Sequence, residues 1–248
     1  MKDKAKAGDS FDKSIFSHAK KGDVFFVKDV KGHTLTHSII RSGLFFSGNR
    51  FPSIVHAGIL LDPSTTIESS GNGGIGHFTP GDIKGDEVFI FRCKDKEASD
   101  LAADLAYNIE HSLAKNEFEE DQKNALEPDS AVYEKAKDIK YGLSKAIKGA
   151  FYGYAEMNQQ QQNELNELVE KMDFNKIAKK GLYCSEFVAL VYAMSELILR
   201  NSNASPRNLS MDCKPEHMNP SELYKHLSEN NGWEVVDGSD NSPSLKMT

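Results

Sequence analysis

The composition of the sequence changes from strand-like to helix-like near residue 97, and this change limits the folds that the chain can adopt. Before it, short apolar runs alternate with turn residues, a pattern that predicts β-strands joined by short connections. The predicted strands are Val24–Val27, Val55–Leu61, Thr66–Ser70 and Glu87–Arg92. Residues 97–180 are rich in Ala, Leu, Glu, Lys and Gln and hold one proline, which is typical of helices. Strands followed by a long helical segment predict an α+β protein.

Within the helical segment we expect helices over Ala98–Lys115, Ser130–Lys140 and Asn158–Met172. Outside it we expect helices over His33–Phe46, Leu182–Leu199 and 219–227, and a last strand over Trp233–Val236. Residues 238–248 are rich in Gly, Ser, Asn and Pro, which predicts a flexible tail. We therefore interpret residues 1–248 as a single domain with a helical insertion at 97–180.

Composition excludes several classes of protein. The chain has 248 residues, with 37 acidic against 30 basic side chains, so its net charge of −7 argues against nucleic-acid binding. Three cysteines do not form a disulfide framework and indicate a reducing compartment. No secretory signal peptide is apparent, and the longest apolar run, 187–194, is too short to span a bilayer. We expect a cytoplasmic protein, with delivery by a signal-independent secretion system as an open alternative.

Three motifs do not support a cofactor or metal. Gly71–Gly76 matches the glycine pattern of dinucleotide sites, but turn residues follow it where a helix is required, which predicts a loop. His33 and His37 lie four residues apart, as do Cys213 and His217. A structural zinc site needs four closely spaced ligands, so surface or capping roles are favoured for these residues. We expect neither a cofactor nor a metal.

Cys184 is the strongest candidate for a reactive group. It follows Gly181 and opens the helix that continues through Phe187 and Val188. Unpaired backbone N–H groups and the positive end of the helix dipole stabilise a thiolate at such a position. Taken alone, the pattern also fits a buried structural cysteine. Cys93 ends a predicted strand and is interpreted as a small core residue.

A nucleophilic cysteine needs a base, and His56 interrupts the apolar strand 54–61. Glu68 lies in the following strand, twelve positions later, so both side chains fall on one face of a hairpin. A three-residue loop at Asp62–Ser64 would place Gly58 opposite Glu68, with His56 as its diagonal neighbour. A carboxylate in that position can orient the imidazole and stabilise its charged form.

The order of these pieces resembles the circularly permuted papain-like amidases, the YiiX-like branch of the NlpC-type superfamily. The resemblance rests on residues 22–26, the His56-Ala-Gly-Ile strand followed by Glu68, and the block Tyr183-Cys-Ser-Glu-Phe-Val188. Asn219–Leu223 and Trp233–Val236 are similar to the last helix and strand of that family. It implies a small antiparallel sheet packed on a central helix that carries the cysteine. The similarity covers about residues 20–95 and 180–237, so 97–180 would be an addition that roofs the cleft or binds a protein partner.

The resemblance implies Cys184 as nucleophile, His56 as general base and Glu68 as orienting group, with Tyr183 and Ser185 in the substrate or oxyanion region. The related lecithin–retinol acyltransferases have histidine where Glu68 stands, so the glutamate favours the YiiX-like branch. The expected function is that of a cysteine hydrolase, an amidase, peptidase or acyl hydrolase that forms a thioester acyl-enzyme. Its substrate would be an amide or ester such as a peptide, a peptidoglycan fragment or a lipid.

Two alternatives stay open. One is a lipid or amide acyltransferase that uses the same intermediate, for which exposed apolar residues near the cleft would be the sign. Leu44, Phe45 and Phe46 are the candidates for that surface. The other is a non-catalytic module that binds a partner through the same scaffold and its helical insertion.

Overall fold

The computed structural model describes residues 13–70, 74–124, 159–171, 182–202, 211, 215 and 218–236. The strands are β1 (Val24–Lys28), β2 (Ile54–Asp62), β3 (Thr65–Ser70), β4 (Gly74–Phe78), β5 (Glu87–Cys93) and β6 (Trp233–Val236). The helices are α1 (Leu35–Phe46), α2 (Lys96–Asn124), α3 (Gln159–Lys171), α4 (Cys184–Asn201) and α5 (Pro220–Glu229), with a short 3₁₀ helix at Lys13–His18. None of the helices in these ranges is long and apolar enough to cross a membrane.

The six strands form one antiparallel sheet in the order β4-β3-β2-β1-β5-β6. The central strand β1 pairs with β2 on one side and with β5 on the other. Its four apolar residues are buried, because alternate side chains point to opposite faces and both faces are covered. The observed architecture is therefore α+β, as the sequence predicts.

Each face of the sheet has its own cover. One face includes Val24, Phe26, Ala57, Ile59 and Ile67, which belong to the main core together with apolar residues of α2, α4 and α5. The opposite face includes Phe25, Val27 and Leu60 and packs against Phe16 of the 3₁₀ helix. Because β2 and β3 lie between these two layers, their side chains are held at fixed positions.

Helix α4 is the central helix, and every residue from Cys184 to Glu196 is buried. Burial of a valine, leucine or phenylalanine side chain contributes roughly 1.5–3 kcal/mol, so the apolar residues of this helix anchor it strongly. Two of its buried hydroxyl groups are hydrogen bonded to other elements: the Tyr192 hydroxyl donates to the carbonyl of Gly22, and Ser195 Oγ donates to the carbonyl of Ala98 at 2.8 Å. These contacts fix the position of the first turn, where Cys184 lies.

Most predicted elements are confirmed to within two residues at the ends that the structure describes, except that α2 extends to Asn124. Helix α5 begins as expected, with Asn219 as N-cap accepting from the backbone N–H of Glu222. The predicted helix at Ser130–Lys140, the 238–248 tail, Cys213 and His217 lie outside the described residues.

The loop predicted at Gly71–Gly76 is wrong in part. Gly74–Phe78 forms β4, which pairs with β3 so that Gly76 lies opposite Glu68. Glycine-rich sequence lowers strand propensity, but pairing along the edge of β3 satisfies the backbone N–H and carbonyl groups and outweighs that preference. Because a strand follows the glycines, the rejection of a dinucleotide site stands.

Candidate active site

The β2–β3 hairpin brings His56 and Glu68 together. Ile59 pairs with Ile67 and Leu60 with Thr66. One step beyond this ladder Gly58 lies beside Glu68, as predicted, since a β-carbon at Gly58 would lie 3.1 Å from the β-carbon of Glu68. The turn itself is one residue shorter than predicted: Asp62 pairs with Thr65, and a bulge between Leu60 and Asp62 absorbs the difference. His56 therefore lies diagonal to Glu68 on the same face of the sheet.

The imidazole of His56 is bonded to the carboxylate of Glu68, which is in turn bonded to Thr66. His56 Nε2 is hydrogen bonded to Glu68 Oε2, and the buried hydroxyl of Thr66 donates to Glu68 Oε1 at 2.9 Å. Bonding of Nε2 to Glu68 leaves Nδ1 as the ring nitrogen available for another partner. Glu68 thereby fixes the orientation of the ring, which is the role expected of an orienting group.

Gly58 creates the space for this pair. A β-carbon at position 58 would lie 2.6 Å from Cζ of Phe25 and 3.1 Å from the β-carbon of Glu68. The Phe25 ring also contacts the ring of His56, with 6.1 Å between their centroids. Only glycine allows Phe25 to lie across β2 and pack beside His56.

Cys184 reaches His56 from the start of α4. Tyr183 precedes it with an extended backbone, and the Ser69 hydroxyl donates to the carbonyl of Leu182. The side chain of His56 and the backbone N–H groups of Ala57 and Ser185 lie close enough to the Cys184 sulfur to stabilise its thiolate by hydrogen bonding. The first turn of α4 is thus tied to both β2 and β3.

The Ala57 N–H is available to the sulfur because of strand geometry. The N–H of Leu60 points toward β1, where it donates to the Asp23 carbonyl at 2.8 Å. N–H groups at odd separations along a strand point to opposite edges, so that of Ala57 points toward β3. The β2–β3 ladder ends at Ile59 and Ile67, and beyond it this N–H meets Cys184.

Charge distribution favours a thiolate paired with an imidazolium. Burial by itself raises the pKa of the Cys184 thiol, but the charge and hydrogen bond of His56 and the two backbone N–H groups outweigh it, so the pKa lies below 9.0. Burial by itself lowers the pKa of His56, but the Cys184 thiolate and the Glu68 carboxylate raise it well above 6.5. The two directions agree, and both favour a thiolate–imidazolium ion pair.

The other predicted site residues lie at the same helix start. Tyr183 is buried, and Ser185 is fully buried with no hydrogen-bond partner for its Oγ among the described residues. The first intrahelical bond of α4 runs from the Phe187 N–H to the Tyr183 carbonyl at 2.9 Å. The N–H groups of the first residues of α4 have no partner within the helix, as at any helix N-terminus. Cys93 is buried in the main core, as predicted for a core residue.

Sequence reasoning missed the partners of His37. The Nδ1 atoms of His33 and His37 both bond the fully buried carboxylate of Asp29, at 3.0 and 2.7 Å. The ring of His37 is mostly buried and stacks on the ring of His56, with 6.3 Å between centroids. The surface or capping role predicted for His37 is therefore wrong. The four-residue spacing of His33 and His37 did not indicate this position, whereas the regular spacing of Asp29, His33 and His37 was the available signal.

One cluster in the described part of the chain has the spacing of a cation site. Ligand atoms of Asp29, His33 and Asp86 lie within 4.8 Å of one another. Asp29 already accepts hydrogen bonds from the backbone N–H groups of Gly32 and His33, at 2.6 and 2.8 Å. The ammonium group of Lys31 lies 2.9 Å from Asp86 Oδ1. These donors explain the cluster without an ion.

Comparison with known proteins adds no assignment: no family model and no curated protein matches the chain. The chemistry of the site is therefore inferred from its own residues.

Proposed function

We propose that the chain is a cysteine-dependent amidase, peptidase or acyl hydrolase that acts through a thioester acyl-enzyme. The observation that carries the proposal is the hydrogen-bonded series Cys184, His56 and Glu68. It joins a thiol with a lowered pKa, a base and a group that orients the base, which are the three parts required of an activated cysteine nucleophile.

We also propose that the fold is the permuted papain-like fold of the NlpC-type superfamily, in its YiiX-like branch. Two observations support this. The strand with the histidine precedes the helix with the cysteine, and that helix is the buried central helix against an antiparallel sheet. The α2 and α3 helices then belong to the added segment 97–180.

In the acylation step, the Cys184 thiolate attacks the carbonyl carbon of an amide or ester, and the carbonyl electron pair moves onto oxygen. Backbone N–H groups at the start of α4 stabilise the resulting oxyanion. The tetrahedral intermediate collapses with cleavage of the C–N or C–O bond, and His56 donates its proton to the leaving group. The products of this step are a thioester on Cys184 and a free amine or alcohol.

In the deacylation step, neutral His56 removes a proton from water as the water attacks the thioester carbonyl. The C–S bond then breaks, which releases a carboxylic acid and restores the thiolate–imidazolium pair. Glu68 stabilises the charged ring in both steps.

Alkylation by iodoacetamide at pH 7, followed by mass spectrometry of the cysteine peptides, tests the proposal. We expect Cys184 to react about ten- to a hundredfold faster than an ordinary thiol, because its lowered pKa raises the thiolate fraction at this pH. The His56→Ala substitution should remove this advantage. His77→Ala is the matched control, since His77 also lies on a strand and contacts a carboxylate, Glu110, at 3.2 Å.

Equal labelling of all three cysteines at the rate of a free thiol would contradict the proposal. A covalent probe directed at nucleophilic cysteines, such as a peptide acyloxymethyl ketone, extends the test from reactivity to acyl-group recognition. Retained binding of a protein partner by Cys184→Ala, together with no adduct from any acyl probe, would instead indicate a non-catalytic binding module.

A second candidate, acyl transfer or hydrolysis on lipid acyl chains, is favoured by one observation. Phe45 and Phe46 at the end of α1 are 68% and 79% exposed, and α1 is the helix that places His37 against His56. Leu44, the third member of the predicted apolar surface, is instead buried against Ile40 and Val55. Two adjacent exposed aromatic rings are suited to contact with a lipid surface.

The double substitution Phe45→Ser and Phe46→Ser separates the two candidates. On vesicles that carry a fluorogenic acyl ester, a lipid enzyme should lose about tenfold in rate, while its rate on a soluble acetyl ester stays unchanged. Val235→Ser is the control, because Val235 is an exposed apolar residue of β6. Equal rates for both variants on vesicles would remove the lipid candidate.

A further inference from the structure

Asp29 and His37 form a second carboxylate–imidazole pair next to that of Glu68 and His56. His37 Nδ1 bonds Asp29 Oδ2 at 2.7 Å, and Asp29 is fully buried just after β1. The carboxylate is held in turn by the backbone N–H groups of Gly32 and His33, at 2.6 and 2.8 Å. Because Asp29 is held by these donors and His37 is bonded to Asp29, the ring of His37 has a defined position relative to β2.

That position is beside the ring of His56. The two rings are nearly parallel, with an interplanar angle of 27° and a centroid separation of 6.3 Å. Phe25 packs beside the same ring at 6.1 Å. A mostly buried imidazole enclosed by two rings and bonded at Nε2 to Glu68 has little freedom to rotate.

We propose that His37, fixed by Asp29, is a positioning residue that holds the His56 ring in the orientation that meets Cys184. This inference rests on the proposed function, because it assigns a role within the same site. The ring of His37 acts through packing on His56, and the hydrogen bond to Asp29 places that ring. A rotation of His56 about its side chain would break its contacts with Glu68 and Cys184 together.

The charged groups around His37 are consistent with this role. Asp29 and His33 face it from the segment before α1, and His56 faces it from β2. Burial lowers the pKa of His37 and the charge of His56 lowers it further, although Asp29 opposes both effects. The pKa therefore lies below 6.5, and at neutral pH His37 is uncharged and adds no like charge beside the His56 imidazolium.

Two substitutions separate ring packing from hydrogen bonding. His37→Phe keeps an aromatic ring and removes the bond to Asp29, whereas His37→Gln keeps a donor for Asp29 and removes the ring. Two readouts on the folded full chain are the iodoacetamide rate constant of Cys184 at pH 7 and the ultraviolet absorbance of its thiolate. We expect His37→Gln to lower the rate constant about tenfold, since small misplacements of a catalytic group have large effects, and His37→Phe to stay within about threefold.

His33→Gln is the matched control, because His33 bonds the same carboxylate. It should leave the rate and the thiolate absorbance unchanged. Circular dichroism and thermal melting establish that each variant is folded, and His37→Tyr serves in place of His37→Phe if the latter is not. A structural role alone would change melting without changing the thiolate absorbance.

The outcomes distinguish the two proposals. Selective labelling of Cys184 in the wild type, with equal rates for wild type and His37→Gln, would overturn the role of His37 and leave the proposed function intact. Equal losses in His37→Phe and His37→Gln would show that the ring does not act by packing, and would also overturn it. Ordinary thiol reactivity of Cys184 in the wild type would overturn the proposed function, and the role of His37 with it.

Discussion

Cys184 and Cys93 are both buried thiols, yet the structure surrounds them with different chemistry. Cys184 opens α4, where its sulfur meets His56 and two backbone N–H groups. Cys93 ends β5, pairs across the sheet with Trp233 and belongs to the main apolar core. Burial alone therefore does not decide the reactivity of a thiol. Donors and positive charge aimed at the sulfur decide it, because they stabilise the thiolate that burial alone would disfavour.

The largest difference is expected when each cysteine is removed in turn. Cys184→Ala should lower turnover of an acyl substrate by at least about a thousandfold, since no other group can form the thioester. Cys93→Ala should leave the labelling of Cys184 unchanged and lower the free energy of unfolding by about 1 kcal/mol through lost core packing. Substrate turnover and urea denaturation of both variants measure the two effects. Residual turnover in Cys184→Ala near that of the wild type would contradict the assigned nucleophile.

The next largest difference is expected in how the alkylation rates of Cys184 and of an ordinary thiol depend on pH. For a thiol with a pKa of 9.0, a fall from pH 9 to pH 7 lowers the thiolate fraction, and with it the alkylation rate, about fiftyfold. The pKa of Cys184 is lowered, so its thiolate persists as the pH falls below 9 and is lost only when the pH passes through the lower value. The Cys184 rate should therefore change much less than fiftyfold over this range.

The unfolded chain in urea supplies the reference for this measurement, because every cysteine then titrates as an ordinary thiol. A fiftyfold fall for Cys184 in the folded protein would show that His56 and the backbone donors do not stabilise its thiolate.

The sequence predicts much of the fold because each strand carries its own signal. The apolar run of β2 and the turn at Pro63–Ser64 define the β2–β3 hairpin, and the even separation of His56 and Glu68 places them on one face. Strand β4 carries no such signal, since glycine is disfavoured in strands. It forms because it pairs with the free edge of β3. That edge exists only once the sheet has assembled, so the local sequence of β4 does not indicate it.

The site could be predicted only in part. The contact between Cys184 and His56 joins distant parts of the chain, and only the family resemblance indicated it. The contact of Asp29 with His37 depends on the turn that follows β1, where Gly32 has a positive φ of 72° and donates to Asp29. The spacing of Asp29, His33 and His37 shows that they can share a face. It does not show that the shared face meets His56, because that depends on how α1 packs on β2.

The smallest expected difference concerns the two glycines that flank Glu68 in the sheet. Gly76 of β4 pairs with Glu68, and Gly58 of β2 lies beside Glu68 on the other side. A β-carbon at Gly58 would lie 2.6 Å from Cζ of Phe25, whereas one at Gly76 would lie 3.5 Å from Cε2 of Phe78, an ordinary contact. Gly58→Ala should displace Phe25 and lower the alkylation rate of Cys184 about tenfold, with a loss of about 1–3 kcal/mol in the free energy of unfolding.

Gly76→Ala is the matched control, since it adds the same methyl group beside the same carboxylate. It should leave the alkylation rate of Cys184 within about twofold, because its β-carbon finds space and Phe25 keeps its place. Neither substitution touches Cys93, so the Cys93 rate should be the same in both variants and in the wild type. A parallel fall of the Cys184 and Cys93 rates in Gly58→Ala would mean that the whole fold has changed. A selective fall for Cys184 places the effect at the His56–Glu68 pair, where the two thiols differ.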